Sequence, residues 1–188
     1  YEKSTHPTLL WNHRWEYDKN PNLFFQALKE VKEMNLDFSL LLLGERFKEY
    51  PDIFKNALSL FSENIIESTY CDFDTYNKWL CKADIIPVTS NQDFFGISIM
   101  EAVYCNTYPI LPNRLSYTEL YNPEENPDIF YKNDNELIDK IANAIDKSNS
   151  LPSYKHIAQE FSWTNVAQTY DETFIKIIDR GKEISFSF

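Results

Sequence analysis

The sequence predicts an α/β fold: a doubly wound, Rossmann-like parallel sheet with helices on both faces. Three observations predict it. Apolar runs alternate with amphipathic segments along most of the 188 residues, which is the rhythm of a parallel sheet covered on both sides. The runs Phe38–Leu43, Ile85–Val88 and Tyr108–Leu111 are nearly continuous in apolar residues, as strands buried on two faces are. Residues with ligand chemistry follow the ends of several different runs, where open parallel sheets bind ligands.

Each element then has its own reason. Thr8–Trp11 is a short apolar run and reads as the first strand. Asn20 is a helix-capping residue followed by Pro21 at the first helical position. Leu23, Phe24, Ala27, Leu28 and Val31 mark the buried face of the helix they open. Phe38–Leu43 is a strand closed by Gly44, Pro51–Phe61 a helix and Asn64–Ile66 a short strand. Phe73–Cys81 reads as a helix with Tyr76, Trp79 and Leu80 turned inward. Ile85–Val88 is a strand, Thr89–Phe95 a loop, Ile97–Tyr104 a helix and Tyr108–Leu111 a strand. Ile129–Tyr131 reads as an edge strand, and Asn135–Asp146 and Thr164–Ile178 as amphipathic helices. Asn122–Asp128 and Lys147–Pro152 are loops rich in turn formers. The alternation of Ile184, Phe186 and Phe188 suggests an edge strand or flap in the tail.

A chain of this length makes one ordinary domain, residues 1–188, with a substantial core. It has no apolar run long enough to span a membrane and no signal peptide, so a cytoplasmic location and no membrane partner are expected. Cys71, Cys81 and Cys105 fit no metal-ligand spacing and read as reduced thiols. His6, His13 and His156 are too scattered for a metal cluster. The net charge is −11, and no basic patch of the kind that grips nucleic acid appears in the sequence.

The chemistry concentrates in two stretches. Asn91–Glu101 holds Asp93 and Glu101 with seven residues between them and Gly96 in the middle. The chain has only 3 glycines, so one placed here answers a backbone demand, a positive φ or a close approach. The helix from Ile97 leaves the N–H groups of Phe95, Gly96, Ile97 and Ser98 at its positive end, an anion site. The second stretch, Trp11–Asn20, supplies the cations Arg14 and Lys19 from another loop. Together they read as a pocket for a diphosphate carrying hydroxyl-rich groups.

The acid-x7-acid pattern around Gly96 resembles the donor-site signature of retaining GT-B glycosyltransferases of family 4. The spacing of Arg14 and Lys19 is similar to that family's diphosphate-gripping pair. LLWNHRWEYDKNP, LLLGERF, DFFGISIMEAVY and PILPNRLSYTEL resemble the tRNA-queuosine mannosyltransferase subgroup in order and spacing from about Leu9 to Leu120. Phe161–Trp163 is similar to the usual start of the last GT-B helix.

The resemblance implies the C-terminal, donor-binding domain of a longer enzyme. Its final helix and tail, about 163–188, would pack back or toward an absent N-terminal acceptor domain. The donor would be a nucleotide sugar, GDP-mannose if the subgroup holds, with no metal or other cofactor. Transfer would proceed with retention to an acceptor such as queuosine-tRNA, which the other domain would contact. Arg14 and Lys19 would stabilise the leaving diphosphate, Gly96, Ile97 and Ser98 would offer N–H groups, and Glu101 would hold the ribose hydroxyls. Asp93 stands where the family more often has Glu, and would contact the transferred sugar. His13, Glu45, Tyr70, Phe94 and Phe95 complete the expected donor contacts. Alternative roles stand beside these: a surface ion pair for Glu45–Arg46, a core tyrosine for Tyr70, a structural histidine for His13 and packing for Trp11, Trp15 and Trp163. A non-catalytic nucleotide-sugar scaffold is the competing function, as is a family 4 enzyme using a UDP-sugar on a glycan or lipid. The missing G-x-G-x-x-G after the first strand argues against a Rossmann oxidoreductase.

Overall fold

The computed structural model describes residues 6–44 and 52–185. Among the described residues six parallel strands form the sheet: β1 (Thr8–Trp11), β2 (Ser39–Leu42), β3 (Ile65–Glu67), β4 (Ile85–Pro87), β5 (Tyr108–Pro112) and β6 (Phe130–Tyr131). Their order is β3-β2-β1-β4-β5-β6. The chain therefore winds outward from β1 in one direction, returns to its other side at β4 and winds away again. The gap between the carboxyl ends of β1 and β4 is the switch point, where such sheets hold ligands.

Crossover helices cover the sheet: α1 (Pro21–Glu33), α2 (Asp52–Leu60), α3 (Phe73–Leu80), α4 (Ile97–Tyr104), α5 (Tyr117–Tyr121), α6 (Asp134–Asp146), α7 (Lys155–Glu160) and α8 (Trp163–Ser185). Right-handed crossovers put α1 and α2 on one face and α3 and α4 on the other. α6 returns to pack on α1, and α7 lies on α4. All residues of β1, β2, β4 and β5 are buried, which is why their sequences run apolar without alternation. Trp11, Phe24, Phe25, Phe54 and Trp15 form an aromatic cluster between β1, α1 and α2, with Trp15 stacked on Phe54 at 4.1 Å.

The cap expected at Asn20–Pro21 is present: Asn20 takes φ 51° and its side chain accepts from the Leu23 N–H. α5 and α7 had no clear sequence signal, being 5 and 6 residues long. The tail expectation fails at residues 183–185, which continue α8 as helix; residues 186–188 lie outside the described part, as do Pro51, Glu45 and Arg46. Trp163, expected to pack, is 78% exposed at the start of α8. Residues 163–180 of α8 leave Trp163, Tyr170, Phe174, Ile175, Ile177 and Ile178 at the surface. Among the described residues no helix is long and apolar enough to cross a membrane.

Candidate functional site

The loop after β1 runs through Asn12, His13 and Arg14 and meets the loop after β4. The two are stitched by backbone-directed bonds. The Thr89 hydroxyl lies 2.8 Å from the Lys19 carbonyl and 3.1 Å from that of Asn20, and the Asn91 N–H donates to the Asp18 carbonyl at 2.8 Å. The Arg114 guanidinium donates to the Ser90 carbonyl at 3.0 Å. Arg114 thus braces the loop that carries Asp93.

Gly44 explains how closely a third segment approaches. A Cβ at that position would lie 1.6 Å from the His13 carbonyl oxygen, so only glycine lets the end of β2 pass the end of β1. Gly96 meets the other demand, with φ 76° at the N-terminus of α4.

Asp93 is the centre of one half of the site. Its Oδ1 accepts from the Gly96 N–H at 3.0 Å. Its Oδ2 accepts from the buried Tyr117 hydroxyl at 3.0 Å and pairs with Lys19 Nζ at 3.4 Å. Lys19 also donates to the Gln92 carbonyl at 2.9 Å. The carboxylate therefore ties α4, α5 and the cation of the first loop together, and the Gly96 N–H expected to face a phosphate is engaged by it. Burial first, and then the negative charge of Asp93, raise the Tyr117 phenol well above its ordinary value, so it stays a donor at neutral pH.

The other half is a cleft of about 300 Å³ lined by Asn12, Arg14, Leu43, Gly44, Tyr70, Cys71, Phe73, Tyr76 and Glu101. Its floor is a relay. Asn12 Nδ2 donates to the Ser98 carbonyl at 2.7 Å and to the Tyr76 hydroxyl at 3.2 Å. That hydroxyl donates to Glu101 Oε2 at 3.0 Å. Glu101 is exposed at the cleft but held in place. Arg14 pairs with Glu16 at 3.1 Å with its side chain 55% exposed. Tyr70 is 73% exposed, so the core-tyrosine reading fails and its ring faces the cleft.

His13 is 3% exposed. Its Nδ1 lies 3.3 Å from the Ser98 hydroxyl at the start of α4. Burial, and next the Lys19 charge, lower its pKa to about 4 against the opposing pull of Asp93 and Asp18, so the ring is neutral at pH 7. His13 Nε2 and Asn12 Oδ1 are buried with no hydrogen-bond partner among the described residues. Two orphaned polar atoms at the switch point are costly for a chain with nothing to bind there.

Ile97 is 66% exposed, Phe94 is 87% exposed, and Phe95 packs edge-on against Phe161 at 5.2 Å. Glu45 lies outside the described residues. Asn12, Tyr76 and Tyr117 were missed as site residues. Asn12 sits inside the WNHRW stretch, where the neighbouring His13 and Arg14 carry the stronger chemical signal. Tyr76 gave only the apolar signal of an inward helix position, and Tyr117 lies on α5, too short to show a helical period. A larger groove of about 600 Å³ lies beside β6 and α6, but Asn113 is its only residue from the motifs discussed above.

Residues 2–161 match the family described as glycosyl transferases group 1. Over 142 residues the chain is 37% identical to the tRNA-queuosine alpha-mannosyltransferase of Drosophila melanogaster, covering 76% of this chain and 36% of that protein. The chain thus spans about a third of this curated relative. The fold resembles sucrose-phosphate synthase from Thermosynechococcus elongatus, with a TM-score of 0.74 and 16% identity over 94% of this chain and 46% of that one. It also resembles the pneumococcal O-GlcNAc transferase GtfA, solved with UDP and GlcNAc, with a TM-score of 0.70 and 13% identity over 94% of this chain and 36% of that one. These neighbours are GT-B glycosyltransferases, and at such identities the likeness is one of fold. The doubly wound sheet, the glycine-started helix at its switch point and the match across most of the sequence place this chain in the glycosyl transferases group 1 family.

Proposed function

We propose that this chain is the nucleotide-sugar-binding half of a retaining, metal-independent glycosyltransferase that moves a hexose from GDP-mannose to an acceptor such as queuosine-tRNA. The observation that carries the reading is the convergence at one switch point of Arg14, Lys19, Asp93, the α4 N-terminus and two orphaned polar atoms on Asn12 and His13. The choice of mannose and queuosine rests on the Drosophila relative.

In this reading the nucleoside occupies the cleft beside Tyr70 and Phe73, and its ribose hydroxyls donate to Glu101. The diphosphate lies toward Arg14 and the first turn of α4. As the sugar–phosphate bond breaks, its electron pair leaves with the diphosphate. Arg14, Lys19 and the helix N-terminus stabilise that charge. Arg suits planar, multi-bonded contact and Lys a point charge. The neutral His13 ring lies beside the start of α4, its Nδ1 3.3 Å from the Ser98 hydroxyl. Asp93 orients Lys19 and Gly96 and lies within reach of the sugar. The acceptor site and its acid–base groups belong to an N-terminal half. The chain alone therefore binds donor without turnover, in the cytoplasm and away from membranes.

Calorimetric titration with GDP-mannose, GDP, UDP-glucose and UDP tests this, repeated on the Arg14→Ala/Lys19→Ala variant. Saturable guanine-nucleotide binding that the double variant loses is the expected result. Preference for the uridine nucleotides would select the competing UDP-sugar reading. Robust sugar transfer by these 188 residues alone would overturn the division of labour.

A further inference from the structure

α3 and α4 end side by side, and each is followed at its C-cap by a cysteine, Cys81 and Cys105. Their Sγ atoms are 3.5 Å apart and share a thiol hydrogen bond. Cys81 is exposed and Cys105 half-buried. The remaining thiol, Cys71, is occupied elsewhere, donating to the Thr69 carbonyl at 3.5 Å. Both C-caps are held by their own helices: the Cys81 N–H donates to the Asn77 carbonyl and the Cys105 N–H to the Glu101 carbonyl, each at 3.1 Å. The two helices are also joined nearer the cleft by the Tyr76–Glu101 hydrogen bond. Tyr76 precedes Cys81 by five positions and Glu101 precedes Cys105 by four. At the rise of a helix this puts the thiol pair about 6–8 Å behind that hydrogen bond.

We infer that Cys81 and Cys105 are a reversible oxidation site, closed to a disulfide by a peroxide-class oxidant, that clamps α3 to α4 behind the cleft. The sulfur atoms need to approach by only about 1.5 Å to reach the ~2.05 Å of a disulfide. The chemistry balances in two steps. The Cys81 thiolate attacks a peroxide oxygen, the O–O bond breaks, and Cys81 sulfenic acid and one water form. Cys105 sulfur then attacks Cys81 sulfur, the S–O bond breaks, and a second water leaves. Two thiols are oxidised, one peroxide is reduced, and a thiol reductant reverses the bond. Burial, and then the Cys81 neighbour, raise the Cys105 thiol to about 11, while Lys155 pulls it down. Cys81, the exposed member, therefore meets the oxidant first and Cys105 resolves. The clamp does not depend on what the cleft binds.

The test treats the purified protein with hydrogen peroxide, quenches and alkylates it, and maps a non-reduced digest by mass spectrometry. The expected result is a crosslinked peptide pair joining Cys81 to Cys105, lighter by two hydrogens and lost on treatment with dithiothreitol. The melting temperature rises by several degrees with the crosslink and falls back on reduction. Cys105→Ser abolishes both changes and Cys71→Ser preserves them. If Cys105→Ser does not fold, Cys81→Ala and the reversible shift of the unmodified protein read the same point. Sulfinic acid on Cys81 without the 81–105 peptide would overturn the inference. So would a crosslink through Cys71, or a melting shift that survives Cys105→Ser.

Discussion

The Tyr117 hydroxyl donates to a carboxylate that also holds Lys19 and the Gly96 N–H. Removing one donor from a charged, mostly buried acceptor costs about 1.5–3 kcal/mol. Tyr117→Phe is therefore expected to lower stability by about that amount with no change in core volume, read from urea unfolding midpoints. A loss under ~0.5 kcal/mol would mean the bond is not made. His13 sets a pH dependence. Its folded pKa, about 4, lies below the ordinary 6.5, so the folded state prefers the neutral ring. That preference contributes fully above pH 6.5 and is lost as pH falls toward about 4, by up to ~3 kcal/mol. Stability measured across this window should fall with acid in the unmodified protein and fall less steeply in His13→Gln. Equal slopes would remove His13 from the account. These partnerships were illegible in the sequence, because Asn12 and Ser98 or His13 and Ser98 are 86 and 85 positions apart. Residue type there announces polarity but not a partner.

At the scale of elements, much was legible because the signals are local. Asn20–Pro21 marks a helix start and Gly96 marks another, and both are where the structure puts them. α6 carries a further local device. Asn133 Oδ1 accepts from the Glu136 N–H at 3.0 Å, and Glu136 Oε2 accepts from the Lys132 N–H at 2.8 Å. This reciprocal cap joins β6 to α6. Asn133→Ala is expected to cost about 1 kcal/mol, and differential scanning calorimetry would show it as a lower melting temperature. An unchanged transition would mean that water replaces the cap fully. The short helices α5 and α7 escaped the sequence because one or two turns leave too few positions for a 3.6-residue period to stand out. α5 matters most, since it delivers Tyr117.

For the whole molecule, the unusual feature is α8, a 23-residue helix. Phe174 and Ile178 on it are 58% and 55% exposed. Substituting both by Ser in the 188-residue chain should shift domain stability by less than ~0.5 kcal/mol, as surface changes do. A loss above ~1 kcal/mol in chemical denaturation would mean that α8 packs back onto the sheet-bearing body. The net charge of −11 acts at this scale too. It repels polyanions over a Debye length of ~8 Å, so the cations at the cleft must act at short range.

The sequence by itself determined the fold class, the place of most strands, two helix starts and the family. Those properties follow from hydrophobic period, Gly and Pro punctuation and short motifs, all of them readable within a few residues. Only the tertiary structure decided which polar groups meet. Strand order brings the ends of β1 and β4 together, and Gly44 admits the end of β2 beside His13. From that closeness come the Asn12–Tyr76–Glu101 relay and the tie of Asp93 to Tyr117 and Lys19, and the packing of α3 beside α4 brings Cys81 to Cys105 at the far ends of those helices. Hydrogen bonds and thiol contacts act over about 3–4 Å, and residues come that near across the sequence only when a sheet has been wound.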